Sequence, residues 1–111
     1  IAMTRAKMCE LLADKAGLKP LESFFTVGLF SALDILMERE LKEIIAPLPL
    51  SEDVVAALLE RKGEKGEAIT CALAYEVSDF ANATFQKLTA HDIYVAQIEA
   101  TMWANMVTES L

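Results

Sequence analysis

Few side chains in this 111-residue chain could do chemistry, and they are scattered. The one histidine, His91, is followed directly by Asp92, a pair of the type that binds divalent metal or passes a proton. Asp34 stands three residues after Ser31 in an otherwise apolar run. Two thiols, Cys9 and Cys71, are potential nucleophiles, and Gly63-Glu64-Lys65-Gly66 has two glycines of the kind that let backbone approach phosphate.

None of these survives its context. A catalytic metal centre needs several convergent imidazole and carboxylate ligands, and one histidine cannot supply them. Thr89 is a natural N-cap, which makes His91 and Asp92 the second and third residues of a helix. Asp92 then serves a capping box and complements the helix dipole. Asp34 reads as a hydrogen-bonding residue at the edge of the core. Neither cysteine has a histidine partner other than His91, and the glycine pair is flanked by Glu64 and Glu67, so it reads as a helix-to-helix turn. No catalytic, cofactor-binding or metal-ligating residue is assigned.

Composition narrows the partners. With ten basic and seventeen acidic residues the net charge is −7, which argues against nucleic acid and against anionic membrane, both of which recruit Lys and Arg. Hydrophobic residues make up 54% of the chain, too many for intrinsic disorder. The longest apolar stretch, Phe24 to Met37, is interrupted by Thr26, Ser31 and Asp34 and is too short to span a bilayer. Two cysteines without C-x-x-C spacing suggest buried free thiols in a reducing cytoplasm. The first residues, Ile1 to Arg5, already fit a helical pattern and lack an initiator methionine, so the sequence is expected to belong to something longer.

Helical periodicity runs almost throughout. A first helix is expected from Thr4 to Ala16, closed by Gly17, and a second from Pro20 to Met37, with Phe24, Val27, Phe30, Leu33 and Met37 on its buried face and Leu29 and Leu36 widening it. A short helix, Glu40 to Ile45, leads into the rigid connector Ala46-Pro47-Leu48-Pro49-Leu50. Ser51 should cap a helix that carries Val54, Val55, Leu58 and Leu59 inward and ends near Arg61 and Lys62. Further helices are expected over Glu67 to Val77 (Ile69, Leu73 and Val77 buried), Phe80 to Leu88, and Ala90 to Thr108. In the last, Tyr94, Ile98 and Met102 recur every four residues as a core stripe, while Trp103 and Met106 are candidates for partner contact. The plan is an all-α bundle of six or seven helices.

The run from Phe24 to Asp34 resembles the core helix of the HD phosphohydrolase superfamily, whose pattern there is roughly a-a-G-L-L-H-D-I-G. Aligned on Gly28-Leu29-Phe30, the metal-ligand positions fall on Ser31 and Ala32. A serine hydroxyl is a poor neutral ligand and alanine is none. Four stretches extend the likeness: Arg5 to Leu12, Phe25 to Leu36, Leu48 to Leu59, and Tyr94 to Ala104, joined by Ala72 to Asp79. In that order they resemble the C-terminal part of an HDOD domain, the HD-related output domain of bacterial signalling proteins, most of all the version that follows an EAL domain. The resemblance implies an HD-like helical fold without metal hydrolysis, acting through protein contacts, with the domain continuing upstream. It also implies an upstream EAL domain, which binds or hydrolyses cyclic di-GMP. No nucleotide site is assigned within these residues.

The expectation is therefore a noncatalytic regulatory module that binds protein, by self-association or by docking a signalling partner. Two alternatives stand beside it. One is a residual hydrolase completed by an upstream histidine that meets Asp34. The other is a structural spacer that dimerises through its last helix.

Overall fold

A computed structural model describes residues 2–110. Ile1, the first of the residues that fit a helical pattern ahead of the helix expected from Thr4, lies outside the described residues. Helix α1 (Ala2–Ala16) buries Arg5, Met8, Cys9, Leu12 and Ala13 along one stripe. It ends as expected at Gly17, whose φ of 74° suits a residue without Cβ, with the Leu18 amide donating to the Ala13 carbonyl at 2.8 Å.

The expected continuous helix from Pro20 to Met37 is broken. Helix α2 (Leu21–Phe30) stops, and α3 (Leu33–Met37) starts after a turn at Ser31-Ala32. The Ala32 amide donates three residues back to Leu29, tightening the last turn, and the Ser31 hydroxyl donates to the Gly28 carbonyl at 2.7 Å. The break turns α3 away from the core. Phe24 and Val27 are buried, but Leu36 and Met37, expected inside, are exposed, and Leu33 is half-buried.

Helix α4 (Leu41–Ile45) buries Ile44 and Ile45 ahead of the proline connector. In α5 (Glu52–Glu60), Val54 and Leu58 point inward while Leu59, a hundred degrees further round, is exposed rather than buried. Ser51 has the extended backbone of an N-cap, yet its hydroxyl donates to Asp53 Oδ1 at 2.6 Å and does not cap the helix. Helix α6 (Gly63–Glu76) begins four residues before the expected Glu67, so the two glycines do not form a loop. Gly66 lies inside the helix where a Cβ would stand 2.2 Å from the Arg61 carbonyl carbon, and the preceding backbone can pass that close only because the side chain is missing. Val77, past the helix end, is exposed, contrary to expectation.

The expected helix from Phe80 to Leu88 is reduced to a single 3₁₀ turn, Phe80–Asn82. Glu67 accepts from both the backbone and the side-chain amide of Gln86, and this holds the following irregular segment against α6, with Phe85 buried. Helix α7 (Ala90–Ser110) closes the fold. Among the described residues, five helices have nine or more residues and two have five, so the architecture is all-α as expected. The count of six or seven is reached only by including the short pair. Helix α1 is central, packed against α2, α6 and α7. A radius of gyration of 13.3 Å, against about 13 Å for a compact chain of this length, means the described residues close around their own core.

Candidate functional site

Two polar side chains are buried among the described residues, Arg5 and Ser31, and they touch each other. Gly28 explains how they meet. A Cβ at Gly28 would lie 2.7 Å from Ala6 Cα and 2.9 Å from the Arg5 carbonyl oxygen, so the glycine lets α1 and α2 cross with backbones nearly in contact. That crossing sets Arg5, on α1, beside the end of α2. Its Nη1 donates to Ser31 Oγ at 3.2 Å, and Ser31 in turn donates to Gly28.

The rest of the guanidinium faces Glu76, the last residue of α6. Nε donates to one carboxylate oxygen at 2.8 Å and Nη2 to the other at 2.9 Å, a bidentate pair. Hydrogen bonding to Glu76 raises the Arg5 pKa above its ordinary value, against the burial that pulls it down. Arg61 brings a second cation toward the same region. Burial lowers its pKa first and the Arg5 charge lowers it further, while Asp34 acts in the opposite direction. Beside the pair, Thr4, Met8, Ala72, Tyr75 and Gln97 line a cleft of about 160 Å³.

The expected ligand-loss positions, Ser31 and Ala32, thus lie buried at the α2–α3 break, next to a positive charge and not in an open cleft. No group of three or more His, Cys, Asp or Glu able to hold a metal occurs among the described residues. Asp34 sits half-buried just beyond, its Oδ1 accepting from the Ile35 amide. His91 is exposed on the first turn of α7. Thr89 and Asp92 form the expected capping box: the Asp92 amide donates to Thr89 Oγ1 at 3.1 Å, and the Thr89 amide donates to Asp92 Oδ2 at 3.0 Å. That exchange, the backbone bond first, holds the Asp92 carboxyl below its usual range.

Both cysteines are buried and unpaired. Burial, with the Cys71 thiol adding to it, pushes Cys9 up to about 12, and burial pushes Cys71 up to about 11, so neither is a ready thiolate.

Helix α7 reverses one expectation. Its core face is Ile93, Ala96, Ala100 and Ala104, and the stripe expected inside is on the outside: Tyr94 and Met102 are exposed, and Ile98 is partly covered. Alanines let α7 lie close on α1, which turns the larger side chains to solvent. Met106 is 65% exposed. Trp103 is half-buried, edge-on to Phe25 with centroids 5.8 Å apart and with Lys7 Nζ 5.0 Å from its ring. The two candidate contact residues therefore differ: Trp103 has partners within the chain and Met106 faces solvent.

Nothing in the spacing of the sequence marks Arg5 and Glu76 as a pair. A signal was there for Arg5, a cation in register with Met8, Cys9 and Leu12 on an apolar stripe. Glu76, 71 residues away, gave none.

No described helix is long and apolar enough to cross a membrane. The chain is similar over 99% of its length, at 30% identity, to the uncharacterized protein YuxH of Bacillus subtilis. Over 94% of its length, also at 30% identity, it is similar to CdgJ of Vibrio cholerae, a cyclic di-GMP phosphodiesterase by name. It spans about a quarter of these relatives, 27% and 25% of their respective lengths. No family model and no solved structure matches it. The chain is thus related to a domain-sized stretch of longer proteins, one of which acts on cyclic di-GMP.

Proposed function

We propose that this chain is a noncatalytic regulatory domain that works by binding protein, within a bacterial signalling protein of the cyclic di-GMP pathway. The observation that carries the reading is the guanidinium at 3.2 Å from Ser31 Oγ. The position aligned with a metal-binding histidine holds a neutral hydroxyl, and the nearest charge is a cation already paired to Glu76. A site that repels divalent metal is suited to holding helices together, and α1, α2 and the end of α6 meet there. Exposed methionine and aromatic residues on α7 supply adaptable contact surface. The similarity to CdgJ along nearly the whole chain supports the pathway.

In its finer form the proposal is an HDOD-type output domain, cytoplasmic, preceded by an EAL domain in the full-length protein, which transmits a signal by self-association or by docking a partner. The test is metal analysis of the purified chain together with turnover assays on cyclic di-GMP, nucleotides and an activated phosphodiester, with added manganese or magnesium. The expected result is substoichiometric metal and no turnover. Bound metal near one equivalent, with turnover abolished by Ser31→Ala or Asp34→Asn, would overturn it.

A further inference from the structure

Among the described residues, much of the outward face of α7 is exposed. Tyr94, Ile98, Met102 and Met106 recur every four residues, and over these twelve residue steps the stripe is about 18 Å long at ~1.5 Å per step. Tyr94 is 51%, Met102 61% and Met106 65% exposed. These exposures are high for large apolar side chains, and their regular repeat makes them one ridge. Ridges at four-residue spacing pack into the grooves of another helix.

At the N-terminal end the ridge runs into a groove. Tyr75, Phe80, Ala83, Ala90, Ile93 and Tyr94 line an open, mostly apolar depression of about 350 Å³ between α7 and the 3₁₀ turn. Phe80 is itself largely exposed there, held edge-on to Tyr75 at 5.0 Å between centroids. A depression lined by aromatics at the end of a ridge is where one large anchor of a partner would seat.

Charge selects the occupant. Helix α7 carries Asp92, Glu99 and Glu109 and no lysine or arginine, and Asp79 adjoins Phe80. Among the described residues, Lys15 is paired to Glu99 at 3.1 Å, and Lys7 stands 5.0 Å from the Trp103 ring on the flank of the same helix. A second copy would set acid against acid across the contact, in a chain of net charge −7. A basic helix would meet complementary charge along the rim and apolar surface at the centre.

We infer that the α7 face and the adjoining Phe80 groove form a docking site for a basic amphipathic helix of three to four turns, with one bulky apolar anchor seated beside Phe80. The inference rests on the reading of the chain as a protein-binding module and names the chemistry of its partner. Methionine at two of the four ridge positions suits a surface that accepts more than one apolar sequence.

The five methionines report on it directly, because Met102 and Met106 lie on the face while Met3, Met8 and Met37 lie off it. The chain, labelled at its methionine methyls, is titrated with a fluorescent Leu/Lys peptide of about 14 residues, four helical turns, with its leucines on one face. A scrambled peptide of the same composition and a version with glutamate for each lysine serve as controls. The expected result is saturable binding of the basic amphipathic peptide alone, weakened by salt, with the Met102 and Met106 signals shifting and those of Met8 and Met37 unmoved. Met102→Lys should weaken binding about tenfold, as loss of a central apolar anchor does. Ile35→Lys, the same charge change at an exposed site on α3, should weaken it much less. Equal binding of the scrambled peptide, or equal loss from both substitutions, would overturn the inference by reducing it to bulk charge attraction. Sedimentation showing a dimer that Met102→Lys dissociates would also overturn it, while leaving the protein-binding reading intact. Metal-dependent turnover would instead remove that reading, whatever the peptide does.

Discussion

The Arg5–Glu76 pair makes an asymmetric prediction. Arg5 is 4% exposed and its Glu76 partner 31%. Deleting the acid and deleting the base therefore leave very different residues behind. In Glu76→Ala a guanidinium remains buried with Ser31 Oγ as its one other side-chain acceptor among the described residues. Leaving a buried charge unpaired costs about 3–5 kcal/mol. Water reaches this pair from the Glu76 side, and removing an acid from the C-terminal end of α6 returns a few tenths through the helix dipole. The expected loss is about 2–3 kcal/mol. At roughly 2.1 cal/mol/K per residue, this chain length gives about 4 °C per kcal/mol, hence a fall in Tm of roughly 8–12 °C.

Arg5→Met removes the cation and keeps most of its aliphatic volume. Glu76 then turns to solvent, and Ser31 keeps its bond to the Gly28 carbonyl. The expected cost is about 1 kcal/mol or less, since replacing a buried ionic partner by an apolar group of similar volume is often neutral. The double variant should resemble Arg5→Met alone, with a coupling of about 2 kcal/mol. Urea and thermal melts of the four proteins, followed by circular dichroism, measure the cycle. If Arg5→Met costs as much as Glu76→Ala, or if the two effects simply add, the pair is not the junction described here.

Gly28→Ala should destabilise by about 1–2 kcal/mol, because overpacking against the Ala6 and Arg5 backbone, which cannot move aside as a side chain can (~2–3 kcal/mol), outweighs the gain in helix propensity (~1 kcal/mol); a Tm at or above the parent's would count against the close crossing. Leu58→Ala, in a residue 2% exposed, should cost about 2–5 kcal/mol, and a melt without loss would place that face of α5 outside the core. The thiols predict an alkaline loss: with Cys9 raised to about 12 and Cys71 to about 11, the unfolded chain releases these protons first, so stability falls as pH rises from about 8.5 toward 11. A Cys9→Ala/Cys71→Ala variant should lose part of that slope, by up to ~2.7 kcal/mol per pH unit for two thiols, and identical slopes in denaturant melts would refute the assignment.

What could be read from sequence was local. The Thr89–Asp92 capping box closes over three residue steps, and both partners follow from their spacing alone. Gly17 closed α1 for the same reason. The errors came where tertiary contact decides. A single helix from Pro20 to Met37 satisfied the periodicity, but the Ser31 hydroxyl takes a bond within its own turn and Arg5 holds it there, so the chain breaks where the pattern runs on. Helix α7 carries two apolar stripes. Periodicity favoured the one with larger side chains, Tyr94, Ile98 and Met102, whereas packing against α1 chose the alanines, because small residues allow the closer approach. Leu59 and Val77 differ from the pattern for local reasons: Leu59 is apolar but just off the covered face of α5, and Val77 lies past the end of α6, where the helical repeat no longer places it.

Regaining metal chemistry at this junction would take more than a histidine and an aspartate at positions 31 and 32. An ion ligated at residue 31 would lie close to the Arg5 guanidinium, which taken alone at about 4 Å and an effective dielectric near 20 repels a divalent cation by roughly 8 kcal/mol, a figure that the paired Glu76 carboxylate reduces. Glu76 has both oxygens committed to Arg5, so it is not free to ligate the ion. Freeing it means leaving the buried cation unpaired, which is the cost worked out above for Glu76→Ala. The ion pair that ties α1 to the end of α6 therefore opposes a metal twice, by repulsion and by occupying the nearby acid. On the proposed reading, Arg5 and Glu76 disfavour a metal at this junction as much as the side chains at positions 31 and 32 do.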